Sequence, residues 1–336
     1  MKILLNCHVP FMLAHGGAQI QIEQTWAALK KIGVDVEYLR WWDATQTGDV
    51  LHHFGRIPLA LLAQAQARGI KVVMLDLLTG QGSRSPARLR SQKWTIQVLK
   101  RILPASLTDP VGWNSYRLVD ACIANTAWEK QLMSELFGAS PEKVHVVPNG
   151  VEEVFLQSQP VARGPWLVCT VTITPRKRVL ELARAAVQAQ TPLWIIGKPY
   201  SDSDPYAASF FQLARENPKI LRYEGPIDDR KKLADVYRAA RGFVLISTME
   251  TRSLSAEEAA ACQCPLLLSD LPWAHNVFGS HASYCPDTDS IAAISASLRS
   301  FYDRAPSLDP PPKPLPWTDV AQQFLAVYKL VLNTSR

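Results

Sequence analysis

Glu250 and Glu258 stand eight positions apart in Ser247-Thr248-Met249-Glu250-Thr251-Arg252-Ser253-Leu254-Ser255-Ala256-Glu257-Glu258-Ala259-Ala260-Ala261. The stretch follows an apolar run at 242–246 and leads into alanines of helical character, so a polar loop opens at a helix N-terminus. Unsatisfied N–H groups and the positive end of the helix dipole make such a place a ready anion site, suited to a diphosphate. Two carboxylates facing the same cleft would also accept hydrogen bonds from sugar hydroxyls. A plainer role competes: Ser255-x-x-Glu258 has the spacing of a capping box, in which the Glu only returns to the helix's own first N–H groups. Earlier in the chain, Arg176-Lys177-Arg178 follows another apolar run and is either a solvated turn or a counter-charge for an anion. His15, His52 and His53 have the chemistry of general bases, although a lone histidine more often packs or caps.

These residues need a scaffold, and the pattern around them supplies one. An apolar strand at 2–6 leads to Gly16-Gly17, after which Ile20, Trp26, Leu29 and Ile32 mark one helical face that Gly33 ends. Strands at 34–39, 50–53, 71–75, 121–124 and 144–147 alternate with helices at 59–68 and 127–137. The alternation restarts after a Gln-, Ser- and Pro-containing stretch at 157–165, with strands at 166–171, 193–196, 220–223, 242–246 and 265–268. Helices are expected at 179–188, 210–215, 231–240, 256–261 and 319–332. Strand–helix repetition of this kind predicts α/β architecture with two parallel, doubly wound sheets. A length of 336 residues suits two such domains, 1–157 with 317–336 and 158–316, and a ligand cleft between them.

Composition excludes several classes. Hydrophobic residues make up 47% and charged residues 20%, which argues against disorder. The apolar runs are too short to span a bilayer, and the N-terminus reads as a buried strand rather than a signal peptide. The six cysteines are scattered and read as small buried hydrophobes in a reducing cytoplasm. Net charge is +6, but no nucleic-acid recognition motif accompanies it. The excess is local: no acidic residue lies between Asp76 and Asp109, where Arg84, Arg88, Arg90, Lys93, Lys100 and Arg101 alternate with Trp94 and aliphatic residues. Segment 84–103 is therefore either a solvated helix or a peripheral contact with an anionic membrane.

The stretch of strand, Ser-x-x-Glu, seven residues and Glu-Ala, followed by Pro265-Leu266-Leu267-Leu268-Ser269-Asp270, resembles the nucleotide-sugar motif of the GT4 family of glycosyltransferases, whose fold is GT-B. Val147-Pro148-Asn149-Gly150-Val151-Glu152 resembles that family's domain-joining segment, and Gly16-Gly17-Ala18 its glycine loop. The likeness runs over nearly the whole chain. It implies retaining transfer of a sugar from a nucleoside diphosphate donor to a glycan or lipid-linked acceptor, with neither cofactor nor metal. By this resemblance Glu258 binds the ribose and Glu250 lies near the donor sugar. N–H groups of Arg252, Ser253 and Leu254 cradle phosphate or sugar, and Lys177, with Arg176, offsets charge on the leaving diphosphate. Gly16 and Gly17 permit close approach of backbone to donor, and Ile227 packs beside the base. The chain also departs from the family. Thr172 stands where the family has Arg, Thr251-Arg252-Ser253 replaces Gly-Phe-Gly, Gln263 sits where Gly is common, and Asp76 stands where many relatives carry His. Asp76 is accordingly the acceptor-side catalytic candidate. Two other readings share the nucleotide half: an epimerase or hydrolase of the same fold, and a non-catalytic scaffold.

Overall fold

The computed structural model describes residues 1–8, 11, 16–158, 161–201 and 203–334; Pro10 and His15 lie outside the described residues. The chain divides into two compact units, Met1–Gly150 with Trp317–Arg336, and Val151–Pro316. The division falls seven residues before the expected boundary at 157, because Val151 and Phe155 are buried in the core of the second unit. Val151 N donates to Leu315 O at 2.9 Å, and an isolated bridge joins Val151 to Pro316, so the chain enters and leaves this unit side by side. Gly150 has no room for a side chain: a Cβ there would lie 2.7 Å from Trp317 Cα.

The first unit is a six-stranded parallel sheet of β1 (Lys2–Cys7), β2 (Asp35–Tyr38), β3 (Val50–Phe54), β4 (Lys71–Leu75), β5 (Ala121–Ala124) and β6 (Val144–Val146), in the order β2-β1-β3-β4-β5-β6. β3 and β5 are buried along their whole length, as expected of strands covered by helices on both faces. The helix Trp317–Asn333 returns from the far end of the sequence to pack on the helix Gly17–Lys31. Its Tyr328 OH lies 2.6 Å from Nδ1 of His52, fully buried on β3. That contact gives a polar ring a partner inside the core, and so explains how His52 is tolerated there.

The second unit repeats the plan with β7 (Leu167–Thr170), β8 (Leu193–Ile196), β9 (Leu221–Tyr223), β10 (Gly242–Leu245), β11 (Leu266–Ser269) and β12 (Ser283–Cys285), in the order β12-β11-β10-β7-β8-β9. All its pairings are parallel. The strand order reverses between β7 and β10. In an open α/β sheet the crevice beyond the carboxyl ends of the strands at such a reversal is where ligands bind. The segments that leave β7 and β10 carry Arg176, Lys177 and Glu250.

Candidate functional site

Both segments at that crevice are shaped by local chemistry. After β7 the chain makes a short 3-10 turn, Pro175–Lys177, and Arg178 takes the left-handed conformation (φ 51°) before the helix Val179–Gln188 begins. Thr248 N, just after β10, donates to Arg176 O at 2.9 Å, and Arg176 Nη1 donates to Met249 O at 3.0 Å. The two segments are thereby tied together. Lys177 Nζ forms an ion pair with Glu250, and Arg176 Nη1 stands 3.3 Å from the same carboxylate oxygen. Glu250 is 8% exposed, so both cations meet a carboxylate sheltered from water. Close by in sequence, Thr174 Oγ1 and Ser247 Oγ are shut off from solvent with no hydrogen-bond partner.

The helix Leu254–Ala261 begins at Ser253, whose hydroxyl accepts from Ala256 N at 3.4 Å. The cap is thus Ser253 and not Ser255, and the capping-box alternative fails: Glu258 turns away from the helix start. Its carboxylate pairs with Arg230, at the start of the helix Arg230–Ala239, and accepts from Tyr237 OH at 3.4 Å. Arg230 Nε also donates to Glu152 at 2.5 Å. Burial pushes the Glu258 carboxyl above the ordinary carboxylate range, and the Arg230 guanidinium opposes that rise. A carboxylate has about four lone-pair sites, so two bonds leave Glu258 able to accept more. The N–H groups of Ser253 and Leu254 make no hydrogen bond among the described residues. They lie at the positive end of the helix.

Arg252 does not face solvent. Its Nε donates to Glu257 at 2.6 Å, and Glu257 is 1% exposed. Burial raises that carboxyl too, against the pull of Arg252. Ile227 is half-buried against the core on the loop that follows β9. Gln263, where glycine was the commoner choice, takes φ 58° just past the helix and secures the strained turn by donating from Nε2 to Ala260 O and Pro311 O, both at 3.0 Å.

The remaining expected residues belong to the first unit. Gly16, at φ 146°, caps the helix Gly17–Lys31 without a side chain, a backbone geometry that glycine adopts readily. Asp76 follows β4 and is embedded in a network: Tyr116 OH donates to its Oδ2, and Arg56 Nε lies 3.4 Å from the same oxygen. Arg56 in turn lies over the rings of Tyr116 and Phe137. Burial raises the Asp76 carboxyl, while Tyr116 and Arg56 pull it back. His53, buried on β3, accepts at Nδ1 from Asn6 Nδ2 at 3.0 Å, and its ring lies edge-on to His8 at 4.6 Å. Its Nε2 has no partner among the described residues, and burial together with His8 lowers its pKa to about 3. Asn149, of the domain-joining stretch, accepts from buried Gln21 Nε2 at 2.7 Å. Among the described residues no group of three or more His, Cys, Asp or Glu side chains is placed to hold a metal ion, and no helix is long and apolar enough to cross a membrane.

Sequence reasoning missed Arg230, Tyr237 and the role of Glu152. Only the pairing of a buried Glu with an Arg at the start of the preceding helix would have signalled Arg230, and that pairing is three-dimensional.

Comparison with known proteins agrees with this architecture. The model of Glycosyltransferase Family 4 matches residues 36–153, and that of Glycosyl transferases group 1 matches residues 164–303. D-inositol 3-phosphate glycosyltransferase of Kribbella flavida is 27% identical over 254 residues, which are 69% of this chain and 54% of that protein. The chain spans about half the length of the curated relatives it matches. Among solved structures, a glycosyltransferase from Rickettsia africae superposes with a TM-score of 0.67 at 12% identity, over 98% of each chain. Anabaena HepE in complex with UDP-glucose does so with a TM-score of 0.64 at 14% identity, over 99% of each. With the two family models in tandem along the sequence and that fold shared, the chain belongs to the GT4 family of GT-B glycosyltransferases.

Proposed function

We propose that this chain transfers a sugar, with retention at the anomeric carbon, from a nucleoside diphosphate donor to a hydroxyl of a glycan or lipid-linked acceptor, without a metal ion. The observation that carries the reading is the pairing of Lys177 and Arg176 with sheltered Glu250 beside the start of the helix Leu254–Ala261. Cations and helix N–H groups converging on one crevice suit a diphosphate, whose charge grows as it departs. In this reading Lys177 takes the leaving diphosphate. The N–H groups of Arg252, Ser253 and Leu254 hold phosphate or sugar oxygens, and Ile227 lies beside the base. Glu258, fixed by Arg230, accepts from the ribose hydroxyls. Glu250 aligns the ammonium of Lys177 and lies near the sugar. Gly16, Gly17 and Asp76 belong to the acceptor-side unit, with Asp76 as its candidate catalytic group.

HepE was solved with UDP-glucose, and the curated relatives are named for D-inositol 3-phosphate. UDP-sugars and inositol phosphate are therefore the first donor and acceptor to try. The test follows turnover of UDP- and GDP-sugars by the purified chain, with and without acceptor. Glu258→Ala and Lys177→Ala should each lower kcat/KM at least ~10-fold, about 1.4 kcal/mol of transition-state binding. Unchanged kinetics in both variants removes the site assignment. Acceptor-independent product would favour a hydrolase or epimerase, and donor binding without any turnover a scaffold. EDTA should leave the rate intact, and its complete loss would refute metal independence. The product's anomeric configuration, read by NMR, tests retention.

The helix Pro86–Ile102 extends the reading to a membrane. Trp94 is 66% exposed and Ile102 68%, among the exposed arginines 84, 88, 90 and 101. Apolar groups standing out of a cationic surface suit an anionic bilayer. Replacing Arg84, Arg88 and Arg90 by Gln should lower sedimentation with phosphatidylglycerol vesicles, and equal sedimentation of variant and parent rejects the contact.

A further inference from the structure

The same helix has a second peculiarity. Its two buried residues, Leu89 and Ile96, define the inward stripe, and Lys93 and Lys100 lie on that stripe at spacings of four, three and four. An amphipathic helix places apolar side chains there. Here lysines turn inward and are half-buried, whereas Trp94 and Ile102 point to water. Lys93 and Lys100 line a cavity of about 540 Å³ together with Arg117, contributed by the short helix Ser115–Leu118. Its apolar wall is Ile96, Leu136 and Phe137. None of the three cationic side chains makes a hydrogen bond or ion pair among the described residues. One carboxylate is present, Glu135, which accepts from Gln131 at 2.6 Å and leaves the cavity with two positive charges in excess. Burial, and then the charge of Arg117, lower the Lys100 pKa. Like charges in excess in one recess cost free energy, and an anion with several acceptor oxygens relieves it.

We propose that this cavity is a phosphate-binding site that takes the phosphate of an anionic phospholipid headgroup, with Lys93, Lys100 and Arg117 as donors. The lipid as source rests on the membrane contact proposed above; the phosphate site itself does not. Trp94, Ile102 and Leu118 (54% exposed), on the same two helices, stand ready to enter the bilayer beside a headgroup held there.

The test uses the full chain carrying Lys177→Met, so that the proposed diphosphate site is weakened and the same background underlies every comparison. Inorganic phosphate is titrated by calorimetry, and pelleting is measured with phosphatidylcholine vesicles with and without phosphatidic acid. Adding Lys100→Gln with Arg117→Gln should weaken phosphate binding at least ~10-fold, the loss of one or two charge-assisted bonds, and abolish the phosphatidic-acid-dependent pelleting. Adding Arg84→Gln with Arg88→Gln instead should leave phosphate binding unchanged. Phosphate binding without any pelleting of the parent would assign the site to free phosphate and overturn the lipid source. No binding by the parent, or equal binding after loss of Lys100 and Arg117, would overturn the site. Both residues are partly or fully exposed, and unchanged melting curves would exclude a folding defect.

Discussion

Replacing Arg230 by Met separates electrostatics from packing in the second unit. Arg230 bridges Glu152 and Glu258 and lies over the Phe155 ring at 4.7 Å. Met keeps the aliphatic contact and removes the charge. Glu258 is then a buried carboxylate that keeps the Tyr237 hydroxyl and faces the like charge of Glu152. Breaking a fully buried pair costs about 3–5 kcal/mol. The Arg230 side chain is 32% exposed, so water partly takes its place, and roughly 1–3 kcal/mol is the expected loss. For a unit of this size that lowers Tm by roughly 2–12 °C. The cost depends on pH with a definite sign. Burial raises the Glu258 carboxyl above its ordinary 4.5, so the folded state retains a proton that the unfolded state has lost. The associated stability is present below 4.5 and disappears as pH climbs through the higher folded value. Without Arg230 that folded value rises further. Arg230→Met should therefore destabilise strongly at about pH 8 and much less at about pH 5, and Glu258→Gln added to it should restore most of the neutral-pH loss. Urea or thermal unfolding followed by tryptophan fluorescence at both pH values measures this. Equal destabilisation at the two, or no rescue by Glu258→Gln, would refute the account of Glu258 as a charge held in place by Arg230.

Three further outcomes follow from the coordinates. Gly197→Ala puts a Cβ 1.9 Å from Val171 O at a φ of 144°, so the backbone must shift and unfolding free energy should fall by ~3 kcal/mol or more; a near-neutral effect in denaturation would show that the β8 end is softer than it looks. His52 is buried neutral, with its pKa lowered to about 3 first by burial and then by His53. Its contribution to stability is present above about 6.5 and lost as pH falls from there toward about 3, so His52→Phe should shift the acid-unfolding midpoint of the first unit downward, as followed by circular dichroism. Lys177→Met should raise donor KM or lower kcat without a fall in Tm, because its loss leaves Glu250 still beside Arg176; a collapse in stability instead would make Lys177 a structural residue.

Much of this fold was legible because its strands are short apolar runs punctuated by glycine. The strand Lys71–Leu75 and the helices Ala127–Phe137 and Val179–Gln188 fall where the pattern put them. Less regular pieces escaped: β12 at Ser283–Cys285 is only half-buried, and the helix Pro272–Phe278 offers a single turn or two of pattern. In the site, Lys177 and Glu250 were found through sequence motifs, and the structure joins them directly. The capping-box alternative at Ser255 arose because Ser253 and Ser255 look alike in sequence, and only the turn of the chain decides which hydroxyl reaches Ala256 N. The partners of the buried carboxylates, Arg230 for Glu258 and Arg252 for Glu257, were not legible as partners. Charge pairing across loops leaves no periodicity behind, so nothing in one sequence announces it.

The helix Trp317–Asn333 is made after the second unit, yet it covers the unit whose other residues precede that unit in the chain. Until Tyr328 arrives, His52 lacks its partner and the face beside the helix Gly17–Lys31 stays open. The second unit, contiguous in sequence, needs no such wait. Emergence and maturation therefore run in opposite order, and a nascent chain stalled before Trp317 would display one finished half and one sticky half, the natural client for a chaperone.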